Sequence, residues 1–176
     1  MLLKLKRTPG IYLVGFMAAG KSTVGRMLAD ELGWYFSDID EEIEAAHSAS
    51  IAEIFEKHGE EEFRRIENEQ VRQRVREIER GKPMVLALGG GAFAQEVNRN
   101  LLIESGVPIW LDCSLDRVQN RLNGSAPNRP LARDPEKLVQ LYEDRQAAYA
   151  QADYRIPIDC DDPAEIVAAI LRLPIF

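Results

Sequence analysis

Ile11-Tyr12-Leu13-Val14-Gly15-Phe16-Met17-Ala18-Ala19-Gly20-Lys21-Ser22-Thr23 runs from a short apolar tetrapeptide, through a glycine-bounded turn, into an amphipathic stretch. Residues 15–22 fit Gly-x-x-x-x-Gly-Lys-Ser, and the pattern sits where its mechanics require, between a buried strand and a helix start. The glycines let the backbone curl so that the N–H groups of Ala18, Ala19, Gly20, Lys21, Ser22 and Thr23 can turn inward toward an anion. The helix start adds about half a positive charge at the same place. Lys21 is placed to reach β- and γ-phosphates, and the Ser22 hydroxyl is of the kind that ligates Mg²⁺. A glycine turn carrying an incidental lysine is the plain alternative, and the strand–turn–helix setting argues against it. The stretch reads as a nucleoside triphosphate site.

Working outward, short apolar runs alternate with amphipathic stretches, the sequence form of a parallel sheet flanked by helices. Ser22 to Leu32 reads as a helix with Val24, Met27, Leu28 and Leu32 on one face, ended by Gly33. Trp34-Tyr35-Phe36 reads as a second strand closed by Ser37-Asp38-Ile39-Asp40. Residues 41–80 are expected to be helical, with breaks near Ser48 and Gly59. Met84–Leu88 and Val107–Leu111 are apolar strands, with a helix over about 94–104 between them. A short helix from Leu115 leads into the one stretch rich in Gly, Ser, Asn and Pro, Leu122 to Pro130, which reads as a mobile loop. A helix over 137–150, a strand over 154–158 and a closing helix with Asp162 as N-cap, Pro163 at N1 and Glu165 at N3 complete the pattern. The expectation is an α/β fold: a five-stranded parallel sheet flanked by helices, with a mobile lid over about 121–135.

The 176 residues suit a single domain, 1–176, and can bury a core without disulfide or structural metal. Lys+Arg 22 against Asp+Glu 29 gives a net charge of -7, which argues against a general nucleic-acid or anionic-membrane binder. No apolar run approaches the ~20 residues of a membrane span. The charges inside Met1-Leu2-Leu3-Lys4-Leu5-Lys6-Arg7 do not fit a signal peptide. Cys113 and Cys160 form no Cys-x-x-Cys pair and read as free thiols in a reducing compartment. A cytoplasmic monomer is expected.

No Asn-Lys-x-Asp base reader of the GTPase kind is present. Two carboxylates compete for the metal position, Asp38 after the aromatic strand and Asp112 after Ile109-Trp110-Leu111; Asp38 is preferred, and Asp112 reads as a strand-end or capping residue. Asp38 and Asp40 flank one residue, so an extended segment would face both to one side, one for Mg²⁺ and the other to accept a proton from an attacking hydroxyl. A polar loop capping the next helix is the bland alternative. Gly89-Gly90-Gly91 at a strand end points to close approach of main chain to a ligand. Among the arginines of residues 64–80, most read as a solvated face paired with glutamates. Arg129, with Arg133 as competitor, is placed to close over the phosphates.

Taken in order, Gly15 to Arg26, Asp38-Ile39-Asp40, Ser50-Ile51-Ala52-Glu53-Ile54-Phe55, Gly59-Glu60, Phe63-Arg64, Glu67, Gly89-Gly90-Gly91 and Arg129-Pro130-Leu131 resemble shikimate kinase over nearly the whole chain. The resemblance implies ATP-dependent phosphorylation of the 3-hydroxyl of shikimate, in the route to chorismate and aromatic amino acids. It implies ATP and shikimate as partners, with Lys21 on the phosphates and Ser22 and Asp38 serving Mg²⁺. Asp40 is implied to bind substrate hydroxyls and to act on the proton. A helical substrate-binding region over about 41–80 is implied; Arg64 within it and Arg145 are implied to hold the substrate carboxylate, and Gly89, Gly90 and Gly91, Gly90 chiefly, to contact the substrate. Arg129 is implied as a lid arginine on ATP, and Arg121 and Pro163 as the residues flanking adenine. The chain departs from the family pattern at Ser48, where Gly is common, at Leu131-Ala132, where Leu-Leu is common, and at Asp161, where relatives often carry a basic residue.

Two rival readings remain open at this stage. Another small-molecule kinase of the same class, such as a gluconate kinase, would also pair the phosphate loop with an acid-bearing hydroxyl acceptor. A nucleotide-sensing module without catalysis would be expected to lack the lysine, Asp-x-Asp or lid arginine, all of which are present.

Overall fold

The computed structural model describes residues 10–124 and 134–176. Strand β1 (Gly10–Val14) and strand β3 (Met84–Ala87) are buried along their whole length, as near-continuous apolar runs covered on both faces must be. Together with β2 (Tyr35–Asp38), β4 (Val107–Asp112) and β5 (Tyr154–Pro157) they form one parallel sheet in the order β2-β3-β1-β4-β5. β1 therefore lies centrally, with Leu13 beside Ala87 of β3 on one side and Ile109 of β4 on the other. The chain builds one half of the sheet and then crosses to the other. The crevice above the strand C-termini at such a reversal is where ligands bind in open α/β sheets.

The helices are α1 (Lys21–Leu32), α2 (Ile39–His47), α3 (Ile51–Glu79), α4 (Glu96–Ser105), α5 (Leu115–Gly124), α6 (Pro135–Tyr149) and α7 (Pro163–Leu171). α1 packs against α7 and β3, and α3 packs against α4. The apolar stripe of α3, Phe63, Val71, Val75 and Ile78, is buried, so this helix is held by packing as well as by its own hydrogen bonds. Its start is a full capping box, with Ser50 accepting from Glu53 N–H and the Glu53 carboxylate accepting from Ser50 N–H.

Both expected breaks in the helical region are present. Ser48 ends α2 in a left-handed conformation, φ 49°, and Gly59 interrupts α3 at φ 82°, ψ 169°. The closing helix starts as expected, with the Asp162 side chain accepting from Ala164 N–H and Pro163 in the first turn.

One local expectation is corrected. Ile39 and Asp40 do not continue the strand. The Asp38 carboxylate accepts from Glu41 N–H and so caps α2, and Asp40 lies in its first turn. The helix begins this early because Asp38 supplies the cap and the acidic first turn Asp40-Glu41-Glu42 suits a helix N-terminus.

No helix among the described residues is long and apolar enough to cross a membrane.

Candidate active site

A cleft of about 1660 Å³ opens where β1 and β3 end, bounded by the turn after β1, the starts of α2 and α3, the three glycines, α5 and the start of α7. Ala18, Ala19, Gly20, Lys21, Ser22 and Thr23 line one end of it, with Arg121 and Pro163. Asp40, Arg64 and Arg145 line the other end with Gly89, Gly90 and Gly91, and Asp38 also reaches the cleft. The residues picked out from the sequence are therefore brought together, except the competing acid Asp112, which does not line the cleft, and Arg129 and Arg133, which with most of the expected lid lie outside the described residues.

At the β1 end, the turn winds so that Lys21 Nζ donates to the carbonyls of Gly15 at 2.9 Å and Phe16 at 2.8 Å. The ammonium is thereby held at the rim of its own turn. Ser22 Oγ donates to Asp38 Oδ2, and Asp38 is buried. A hydroxyl and a carboxylate side by side are hard oxygen donors of the kind Mg²⁺ prefers. That ion keeps several waters and takes few protein ligands. The pair fits the metal, and no cluster of three or more acidic, His or Cys ligands is present among the described residues. Arg121 Nη1 donates to the Ala18 carbonyl at 2.7 Å, which puts a guanidinium across the turn. Asp112, the competing acid, instead accepts from Arg155 Nε at 2.7 Å at the end of β4, as a strand-end residue.

At the β3 end the three glycines have a steric reason. A Cβ on Gly89 would lie 2.6 Å from Asp40 Oδ1, one on Gly90 would lie 3.0 Å from Arg145 Nη1, and one on Gly91 would lie 2.6 Å from Arg64 Nη1. The bare main chain is what lets three charged side chains converge on one turn. Asp40 Oδ1 and Arg64 Nε are buried and have no hydrogen-bond partner. Groups of this kind are costly unless something pairs them, and both belong to residues that line the cleft.

The electrostatics follow from burial. Asp40 is pushed above the usual carboxylate range, first by burial and then by the Asp38 charge, with Lys21 opposing. Glu67, 1% exposed, is raised to about 7 by burial, although the Arg64 guanidinium beside it pulls the other way. Arg64 Nη1 donates to Glu67 Oε1 at 2.7 Å, and the guanidinium lies 5.3 Å from the Phe63 ring centre and 5.9 Å from that of Phe55. Tyr149, wholly buried, donates to the Gly90 carbonyl at 2.5 Å, and burial lifts its phenol to about 12. Arg65, Arg72 and Arg76 of α3 lie on a solvated face, whereas Arg74 is half-buried and ties α3 to α2. Arg65 pairs with Glu62 and Glu69, and Arg74 bonds Glu42 and Glu77.

Two residues of this wall carried no role in the sequence reading. Glu67 stands between Phe63 and Val71 at four-residue spacing, so it is a charge set in an apolar stripe. That signal, with Arg64 three residues before it, was there to be read. Tyr149 follows Arg145 by four residues on α6, but nothing in the sequence says that its hydroxyl meets Gly90.

The family model for shikimate kinase matches residues 17–173. The chain belongs to the shikimate kinase family. A shikimate kinase from Sulfurihydrogenibium sp. (strain YO3AOP1) is 43% identical over 162 residues, covering 92% of this chain and 95% of the relative. The structure of shikimate kinase from Acinetobacter baumannii in complex with shikimate is 37% identical, with a TM-score of 0.84 over 94% of this chain and 92% of that one. Shikimate kinase from Aquifex aeolicus is 34% identical with a TM-score of 0.77, covering 92% and 93%. A sugar kinase from Janibacter sp., 18% identical with a TM-score of 0.64, shares the fold alone.

Proposed function

We propose that this shikimate kinase family member transfers the γ-phosphoryl group of ATP to the 3-hydroxyl of shikimate, giving shikimate 3-phosphate and ADP. The observation that carries the reading is the convergence of Arg64, Arg145 and Asp40 on a glycine turn in the same cleft as the phosphate-binding turn. Two guanidinium groups suit one carboxylate, and an acidic side chain with bare main chain suits ring hydroxyls.

Lys21 and the N–H groups of residues 18–23 hold the triphosphate and take up charge that develops on the leaving oxygen. Ser22 and Asp38 would hold Mg²⁺, which when bound neutralises phosphate charge. Arg121 and Pro163 flank the base of the nucleotide. Arg64 and Arg145 fix the acceptor by its carboxylate, and Asp40 accepts the proton of the attacking hydroxyl as the new O–P bond forms and the bond to ADP breaks. A carboxylate raised by burial is a better proton acceptor than one in water, which fits that role. Arg129, on the strength of the resemblance, adds a cation over the phosphates from the lid.

A gluconate kinase activity is disfavoured by the relatives, whose full-length similarity is to shikimate kinases. The deciding assay is ADP formation with Mg²⁺ and ATP. Turnover that depends on shikimate is expected, and gluconate turnover with shikimate silent would reject the assignment.

A further inference from the structure

Arg121 is fixed at two points. Besides the bond from Nη1 to the Ala18 carbonyl, its Nη2 donates to Asp161 Oδ1 at 3.0 Å. The same carboxylate oxygen accepts from Arg117 Nη1 at 2.9 Å, while Arg117 Nη2 donates to the Asp159 carbonyl at 2.5 Å. Arg117 and Arg121 stand four residues apart on α5, where two like charges repel. Asp161 lies two residues before Pro163 in the segment from β5 to α7, and all four side chains share the wall of the cleft. One carboxylate thus joins α5, the entry to α7 and, through Arg121, the phosphate-binding turn.

Two consequences of that carboxylate have opposite signs. Its negative charge repels a bound triphosphate. Its hydrogen bond also fixes the second nitrogen of Arg121, and two fixed nitrogens set the plane of a guanidinium as well as its position. A planar cation held in one orientation is a stacking surface for a flat aromatic ring.

We infer that Asp161 is a positioning residue for the nucleotide: it holds the Arg121 guanidinium in the plane that receives the base, and this orientation outweighs its repulsion of the phosphates. The inference rests on the reading that Arg121 and Pro163 flank the base. Asp161 is 78% exposed, so its ion pairs contribute little to folding and its removal leaves the melting temperature unchanged.

The test uses Asp161→Ala in the full chain, with ATP and with inorganic tripolyphosphate as a base-free inhibitor. Asp161→Ala is expected to raise the KM for ATP about tenfold, the equivalent of one charge-assisted hydrogen bond. The kcat and the KM for shikimate stay unchanged, and tripolyphosphate binds as well as before or better because a repulsive charge has gone. In an Arg121→Ala background the further change to Asp161→Ala should no longer raise the KM for ATP, and relief of the repulsion leaves it equal or lower. An unchanged or lower KM for ATP overturns the inference, as does a parallel loss of tripolyphosphate binding, which would mark general disruption of the site. Arg121→Ala separates the two levels: if it raises the KM for ATP while Asp161→Ala does not, only the role of Asp161 fails. If Arg121→Ala leaves the KM for ATP unchanged, the base-flanking reading fails and takes this inference with it.

Discussion

Glu67 and Arg64 show how a buried pair in the acceptor wall can cost stability while it holds a guanidinium for recognition. Glu67 has an ordinary pKa of 4.5 and is raised to about 7 in the folded chain. Below about pH 4.5 both states hold the proton. Between about 4.5 and 7 the unfolded chain releases it while the folded one keeps it, so this residue's contribution to stability falls as pH rises through that window and then levels off. The penalty at pH 8 is on the order of 3 kcal/mol, the difference between the two values at about 1.4 kcal/mol each. Glu67→Gln should therefore match the parent in denaturant melts near pH 4.5 and exceed it at pH 8; a less stable variant at pH 8 would contradict this. Arg64→Ala removes one charged partner of a bound carboxylate, worth about 2–5 kcal/mol. The KM for shikimate should rise about 30-fold or more, with that for ATP unchanged in steady-state kinetics. Asp40→Asn should lower kcat by about 10²–10⁴-fold and leave nucleotide binding intact, measured by titration with a non-hydrolysable ATP analogue. Of these residues Asp40 was legible from its place after a strand, although not its place on a helix, because a cap made by a side chain oxygen does not register in hydrophobic periodicity.

Among the elements, the strands were the most legible, since Ile11–Val14 and Met84–Leu88 are unbroken apolar runs. Their order was not, because β3 and β4 flank β1 through contacts far apart in the chain that no local pattern encodes. The two parts of α3 are set at their angle by Gly59, whose φ of 82° and ψ of 169° belong to a region open almost only to glycine. A Cβ there would meet nothing within 4 Å, so the obstacle to substitution is conformational rather than steric. The part before it carries Ile51 and Phe55 to the cleft, and the part after it carries Arg64. Gly59→Ala is expected to cost about 1–3 kcal/mol in urea unfolding. It should also raise the KM for shikimate while sparing that for ATP. Equal effects on the two would show that the kink does not shape the acceptor end separately.

At the scale of the molecule, the phosphate-binding turn and the glycine turn leave adjacent strands, and Leu88 N–H donates to the Leu13 carbonyl at 3.1 Å just before both turns begin. The nucleotide end therefore exists only in the folded sheet. ATP at 100 times its Kd should add about 2.7 kcal/mol to stability. That amounts to a rise in Tm of about 5–10 °C at roughly 2–4 °C per kcal/mol, read by differential scanning calorimetry. No shift would mean that nucleotide is not bound by the native chain. The Leu88–Leu13 bond has a wider consequence. It pins the roots of the two turns like the pivot of a caliper, so the sheet sets where the phosphate donor and the acceptor turn begin, while the guanidinium anchors Arg64 and Arg145 reach the acceptor turn from α3 and α6. An acid whose hydroxyl stands at a different distance from its carboxylate should then turn over more slowly than shikimate in the ADP assay.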